Sequence, residues 1–194
     1  MALGADGSGD ARMREYSKLA AVLEQQELEA SDGIASPQAY GQLLAIYLLQ
    51  NDLVNAKLLW RRIPYDIKQS HLDLGQIWKV GQAMWKKNFP AVHAALSQEW
   101  PDDLKPIMQE LNERMRMRAL MLVGKAYTSI SVEDTCSFLA VPKHELASFV
   151  SPLGWVVDFA SGMVSPKPIA VTHDSGAYEE HMIRLTNFAS FFES

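Results

Sequence analysis

Between Ser129 and Lys167 the hydrophobic period of this chain switches from helical to alternating, and that switch restricts the possible folds more than any other feature. The stretch reads SISVEDTCSFLAVPKHELASFVSPLGWVVDFASGMVSPK. Ser131 is a good N-cap, and Asp134 three residues on supplies the acidic partner of a capping box. Phe138 and Leu139 give this first short helix its apolar face. Val141-Pro142 breaks it, because proline fits the first turn of a new helix but cannot continue an old one. A second helix, Pro142 to Ser151, turns Leu146, Phe149 and Val150 inward, and Pro152-Leu153-Gly154 stops it. Trp155, Val156, Val157 and Phe159 are then β-prone, Ala160-Ser161-Gly162 reads as a tight turn, and Met163-Val164-Ser165 as the returning strand. Pro166 and Pro168 end that strand, since neither can donate to a ladder. Two short helices and a hairpin predict a winged helix over 127–168; the alternative is an irregular αα-hairpin followed by a loop.

The residues before it are helical. Met1 to Asp10 is rich in Gly, Ser and Asp and is expected to be a disordered lead-in. A first helix over 11–29 carries Leu19, Val22, Leu23 and Leu28. Ser36 and Pro37 start a second, with Tyr40, Leu43, Leu44, Tyr47 and Leu48. Asn51-Asp52 ends it, and Asp52 can cap a third that carries Leu53, Ala56, Leu59 and Trp60 up to Ile63-Pro64. This pair has the pattern of a tetratricopeptide-type unit, with small Ala56 at the close approach. A weaker copy follows: Ile77, Trp78, Val80, Met84 and Trp85, a turn at Lys87-Asn88, then a helix from Phe89 to Trp100-Pro101. Leu49 aligns with Trp85, Leu53 with Phe89 and Trp60 with Leu96, an offset of 36. An ordinary helical bundle is the alternative to a repeat. A longer helix from Asp103 to Ala126 carries a stripe of Met108, Leu111, Met115, Leu122 and Ala126. Beyond the hairpin, 169–176 is expected to be a loop. A terminal helix over 177–194 presents Tyr178, Met182, Leu185, Phe188 and Phe192, to fold back on its own domain or to join a partner's helix.

Tests for chemistry return little. His71, His93, His144, His173 and His181 include no two at metal-ligand spacing, there is no CxxC, and no metal or cofactor is expected. Each histidine reads as an isolated surface or cap residue. The single cysteine, Cys136, excludes an internal disulfide, fits a reducing compartment and reads as a structural thiol. There is no GxSxG elbow and no glycine-rich phosphate loop. No apolar run approaches a membrane span, so a soluble, intracellular protein without a membrane partner is expected.

DNA is the usual ligand of a winged helix, but groove binding needs clustered Lys and Arg near phosphates. From Tyr127 onward Lys143, Lys167 and Arg184 face eight carboxylates, for a net charge of −5. Nucleic acid is therefore not expected as a partner. Arg114, Arg116 and Arg118 alternate along a helix, spread round it, and read as a solvated helix end paired with nearby carboxylates.

Helical repeats running directly into an acidic winged helix and then a terminal helix resemble the PCI domain family, found in the proteasome lid, the COP-nine signalosome and translation initiation factor three. Tyr40-Gly41-Gln42-Leu43-Leu44-Ala45, Leu58-Leu59-Trp60-Arg61-Arg62-Ile63-Pro64, Ala126-Tyr127-Thr128-Ser129-Ile130 and Arg184-Leu185-Thr186-Asn187-Phe188 carry the resemblance and draw it toward signalosome members. It covers about Leu19 to the C-terminus, and the LWRRIP and RLTNF stretches are its most specific parts. The resemblance implies a non-catalytic scaffold in a complex that removes Nedd8 from cullins, present in nucleus and cytoplasm. It implies other PCI subunits as partners, with the third subunit as direct neighbour. Trp155, Val156, Val157 and Asp158 on the wing, with the terminal-helix stripe of Tyr178, Met182, Leu185, Phe188 and Phe192, are the expected contact residues, with the core as the equal alternative for Trp155.

Overall fold

The computed structural model describes residues 7–30 and 33–168. These are mainly helical, with a small antiparallel sheet at the C-terminal end. The helices run α1 (Gly7–Glu29), α2 (Pro37–Leu49), α3 (Leu53–Arg62), α4 (Tyr65–Ser70), α5 (Leu72–Trp85), α6 (Phe89–Leu96), α7 (Lys105–Ala126), α8 (Val132–Leu139) and α9 (Lys143–Val150). Strand β1 (Ile130–Ser131) precedes α8, and β2 (Val156–Asp158) and β3 (Met163–Ser165) follow α9.

Helix α2 is the axis of the larger core. Ser36 Oγ accepts from the Ala39 N–H at 3.2 Å, and Pro37 occupies the first turn, where its missing N–H costs nothing. Its residues are apolar nearly all round, which suits a helix enclosed on every side. Tyr40, Leu43, Leu44, Ile46, Leu48 and Leu49 are fully buried, against α1, α3, α5 and α7. Helix α1 begins at Gly7, earlier than the expected residue 11, and covers this axis with Ala20 and Leu23. Val22 and Leu28 point to solvent instead of joining that face. Polar bonds hold α1 in place. Tyr47 Oη donates to Glu24 at 2.7 Å, and Arg62 grips Glu27 with two bonds of 3.1 and 2.8 Å.

The 36-residue offset is visible in the backbone. The Asn51 N–H bonds to Leu48 O and the Asp52 N–H to Tyr47 O; 36 residues on, the Lys87 N–H bonds to Met84 O and the Asn88 N–H to Ala83 O. Asn51 and Lys87 both take the left-handed conformation (φ 62° and 54°). Asp52 and Asn88 then cap α3 and α6 by accepting from Asn55 and Ala91. The second pair departs from expectation at its ends. A short helix, α4, intervenes after Pro64, and α6 stops at Leu96 rather than Trp100. At that stop the Ser97 N–H and Oγ both donate to His93 O, and Trp100 Nε1 donates to Leu96 O, a carbonyl of the last turn.

Helix α7 belongs to two cores. Ile107, Met108, Leu111 and Met115 face the larger one, while Ala119, Leu120 and Val123 join Val132, Leu139, Leu146, Val150, Trp155 and Val164 in a smaller one. Leu122 and Ala126, expected on the apolar stripe, are exposed, because the buried face continues through Ala119 and Val123. The arginines also depart from expectation. Arg114 pairs with Glu110, but Arg116 Nε donates to Leu139 O at 3.0 Å and Arg118 Nη2 to Leu49 O at 3.2 Å. Those carbonyls are the C-terminal residues of α8 and α2, so two cations close helix ends brought from elsewhere in the chain.

In the smaller body, Ser131 Oγ accepts from the Asp134 N–H at 3.0 Å and donates to the Asp134 carboxylate at 2.7 Å. Helix α8 ends on Ala140 in the left-handed region (φ 50°), so the break precedes Pro142. The sheet has order β1-β3-β2, with Ile130 opposite Val164 and Val157 opposite Val164 on the other side. β3 is therefore central, and β1 is an element the sequence reading missed.

Candidate partner-binding surfaces

β2 pairs only with β3, which leaves its outer backbone edge open among the described residues. An unpaired edge is a row of donors and acceptors that another strand can satisfy. Alternation along β2 sends Val156 and Asp158 outward and Val157 toward the core, beside Val164. Val156 is 59% exposed; Phe159 in the turn is 51% exposed and Met163 on β3 is also exposed. The sequence reading did not select Phe159 or Met163 as contact residues. Their signal was there: both are large apolar residues flanking a polar turn.

The other wing residues have internal roles. Trp155, with contact surface and core as its two readings, takes the core one: it is buried at 4% exposure, and its Nε1–H donates to Lys167 O at 2.9 Å. Burial with the indole N–H satisfied is the ordinary state of a core tryptophan. Gly124 of α7 makes room for it: a Cβ there would lie 2.7 Å from Lys167 O and 3.3 Å from the Trp155 ring. Asp158 shapes the hairpin turn, its carboxylate accepting from Ser161 Oγ at 2.6 Å and from the Ala160 N–H at 2.9 Å. These bonds, the Ser161 hydroxyl foremost, hold its carboxyl below the usual carboxylate range. Tyr178, Met182, Leu185, Phe188 and Phe192 lie outside the described residues.

Groups with chemical potential are dispersed. His93, expected on the surface, is buried where α6 meets α7, with Nδ1 2.9 Å from Asn112 Oδ1 and no well-formed hydrogen bond at Nε2. Burial lowers its pKa, the Asn112 bond opposes this, and the Arg116 charge adds to the lowering. The Cys136 thiol is half-buried and its pKa is raised, chiefly by burial, which works against thiolate formation. Among the described residues no group of three His, Cys, Asp or Glu could hold a metal ion, and no helix is long and apolar enough to cross a membrane.

These features define a mainly helical protein whose sheet presents an open edge beside exposed apolar side chains. The chain belongs to the CSN8/PSMD8/EIF3K family, whose model matches residues 34–173. It is similar to COP9 signalosome complex subunit 8 of Xenopus laevis, at 45% identity over 92% of this chain and 93% of that one. The protein of the same name from Danio rerio is 41% identical over 91% of this chain and 94% of its own. That from Dictyostelium discoideum is 32% identical over 93% and 92%.

Proposed function

We propose that this chain is a non-catalytic scaffold subunit of the COP9 signalosome, the complex that removes Nedd8 from cullins. The observation that carries the reading is the match over nearly the whole length of both chains to proteins named as subunit 8 of that complex, in vertebrates and in an amoeba. In this reading α2–α3 and α5–α6 are tetratricopeptide-like pairs, and β1-α8-α9-β2-β3 is a winged helix, together making a PCI domain. The wing would dock other PCI subunits, the third subunit as direct neighbour, through the β2 edge with Val156, Phe159 and Met163 around it. Residues 177–194 would join a helical bundle with those subunits. The assembly would serve in nucleus and cytoplasm, its isopeptidase chemistry residing in another subunit.

The geometry favours protein over DNA at the wing. Helix α9 offers Lys143 and His144, and His144 lies 3.3 Å from Glu145. Co-expression of the full chain with the other PCI subunits, followed by sizing, tests the proposal. Wild-type chain should elute in the complex, and Val156→Asp with Phe159→Asp should reduce recovery more than about tenfold. Truncation after Gly176 should do the same while leaving the isolated body folded. Full recovery of both variants would remove the wing and the terminal segment as docking elements. Saturable binding of duplex DNA with a steep salt dependence would argue against a scaffold role alone.

A further inference from the structure

We propose that the α3/α5 face is a docking groove for an acidic peptide segment of a partner chain, one that carries an apolar anchor residue. This inference does not depend on the assembly reading, since the groove is built from the helical body and uses no residue of the wing. Trp60 and Trp78 stack at 5.5 Å between centroids with 10° between planes. Lys68 Nζ lies 4.9 Å from the Trp60 ring centre and Lys57 Nζ 4.8 Å from that of Trp85. Beside the Lys57–Trp85 pair is a groove of about 240 Å³ lined by Lys57, Trp78, Gln82, Trp85 and Lys86. Trp85 is 51% exposed there, although the residue it aligns with in the repeat, Leu49, is fully buried.

The segment that builds this face carries charge opposite to that of the chain. From Leu53 to Lys87 there are seven Lys and Arg against Asp66 and Asp73, in a protein whose formal net charge is −5. Arg62 is occupied by Glu27, but among the described residues Lys57, Lys68 and Lys86 have no ion-pair partner. Exposed indole beside unpaired ammonium groups is suited to a ligand with carboxylates flanking an apolar side chain. Single-stranded nucleic acid also combines negative charge with rings, but it needs free aromatic faces on which bases stack. Here Trp60 has Trp78 stacked on it and Lys68 over its ring, and Trp85 carries Lys57. Carboxylates can bind the lysines without displacing them from the rings, whereas a base stacking on the lysine-covered faces would have to displace them.

The test uses the full chain and a fluorescein-labelled synthetic peptide in which glutamate alternates with leucine and phenylalanine, read by anisotropy. Saturable binding is expected, weakened by salt and reduced more than about tenfold by Trp85→Ala or by Lys57→Gln with Lys86→Gln. Trp85→Phe should retain most of the affinity. These side chains are exposed, so an unchanged unfolding midpoint separates lost binding from lost structure. Three results would overturn the proposal: equal affinity for the peptide with serine in place of leucine and phenylalanine, tighter binding of an oligouridine of matched charge, or undiminished binding by folded Trp85→Ala protein.

Discussion

The helical body and the small sheet-bearing body share one helix, yet they close their backbones differently. In the body α2, α3 and α6 are capped by neighbouring residues, Ser36, Asp52 and Asn88 each accepting an N–H three residues on, while Arg118 of α7 closes Leu49 O at the end of α2. In the sheet-bearing body Ser131 caps α8 in the same way, and α9 has no side-chain cap. Leu139 O is covered by Arg116 of the shared helix, Trp155 covers Lys167 O within the same body, and the outer edge of β2 stays open among the described residues. Local caps fix where three of the body's helices begin. The open edge makes the sheet a place where another chain can complete the hydrogen bonding.

The largest expected effects test whether the two cores fold as one. Leu44 and Leu146 are fully buried, one in each core, and truncation of either to alanine should cost about 2–5 kcal/mol. If the body is independent, Leu146→Ala should lose hydrogen-exchange protection in α8, α9 and the sheet alone, while Leu44→Ala loses it throughout. Loss everywhere in both would collapse the distinction into one cooperative unit. Gly124→Ala attacks the junction, because a Cβ 2.7 Å from Lys167 O cannot be absorbed by a flexible side chain. A loss of about 1–3 kcal/mol is expected, measured by denaturant unfolding, with the Trp155 environment altered. Arg118→Met comes next. It strips Leu49 O of its donor and should lower stability by about 1–3 kcal/mol, where a solvated arginine would be neutral.

Elements specified by adjacent residues were legible in the sequence. Ser131, Ser36-Pro37, Asp52 and the turn before Met163 act within a few residues of where they stand, and the helices and hairpin fall there. What was not legible depends on distant partners. β1 is two residues long, too short for alternation to register, and exists because Ile130 meets Val164. Arg116 and Arg118 read as solvated because nothing near them shows that Leu139 and Leu49 carbonyls arrive beside them. Trp85 follows the helical stripe, but a stripe does not distinguish a face packed on the core from one lining an open groove. Of the expected wing contacts, Val156 sits on the exposed face, whereas Trp155 is spent inside and Asp158 on its own turn.

The smallest expected effect tests whether acid loosens the junction between the two bodies. His93 stands on α6 against Asn112 of α7, one turn after Phe89, whose ring meets Phe138 of α8 edge-on at 6.1 Å. Burial is the main reason its pKa falls below the ordinary 6.5, so the folded chain favours neutral imidazole. The sign follows from proton counting. Above 6.5 neither state binds the proton and the contribution to stability is complete. As pH falls below 6.5 the unfolded chain takes up a proton that the folded chain still refuses, and stability drops until the lowered folded value is passed. The slope from this one group cannot exceed about 1.4 kcal/mol per pH unit. Denaturant midpoints measured between pH 8 and pH 5 should therefore decline, and His93→Gln, which retains a donor toward Asn112 but cannot titrate, should flatten that decline. The loss should appear first in exchange of α6 and α8 amides, where the bodies meet. A decline of equal slope in His93→Gln would assign the acid sensitivity in this range to groups other than His93.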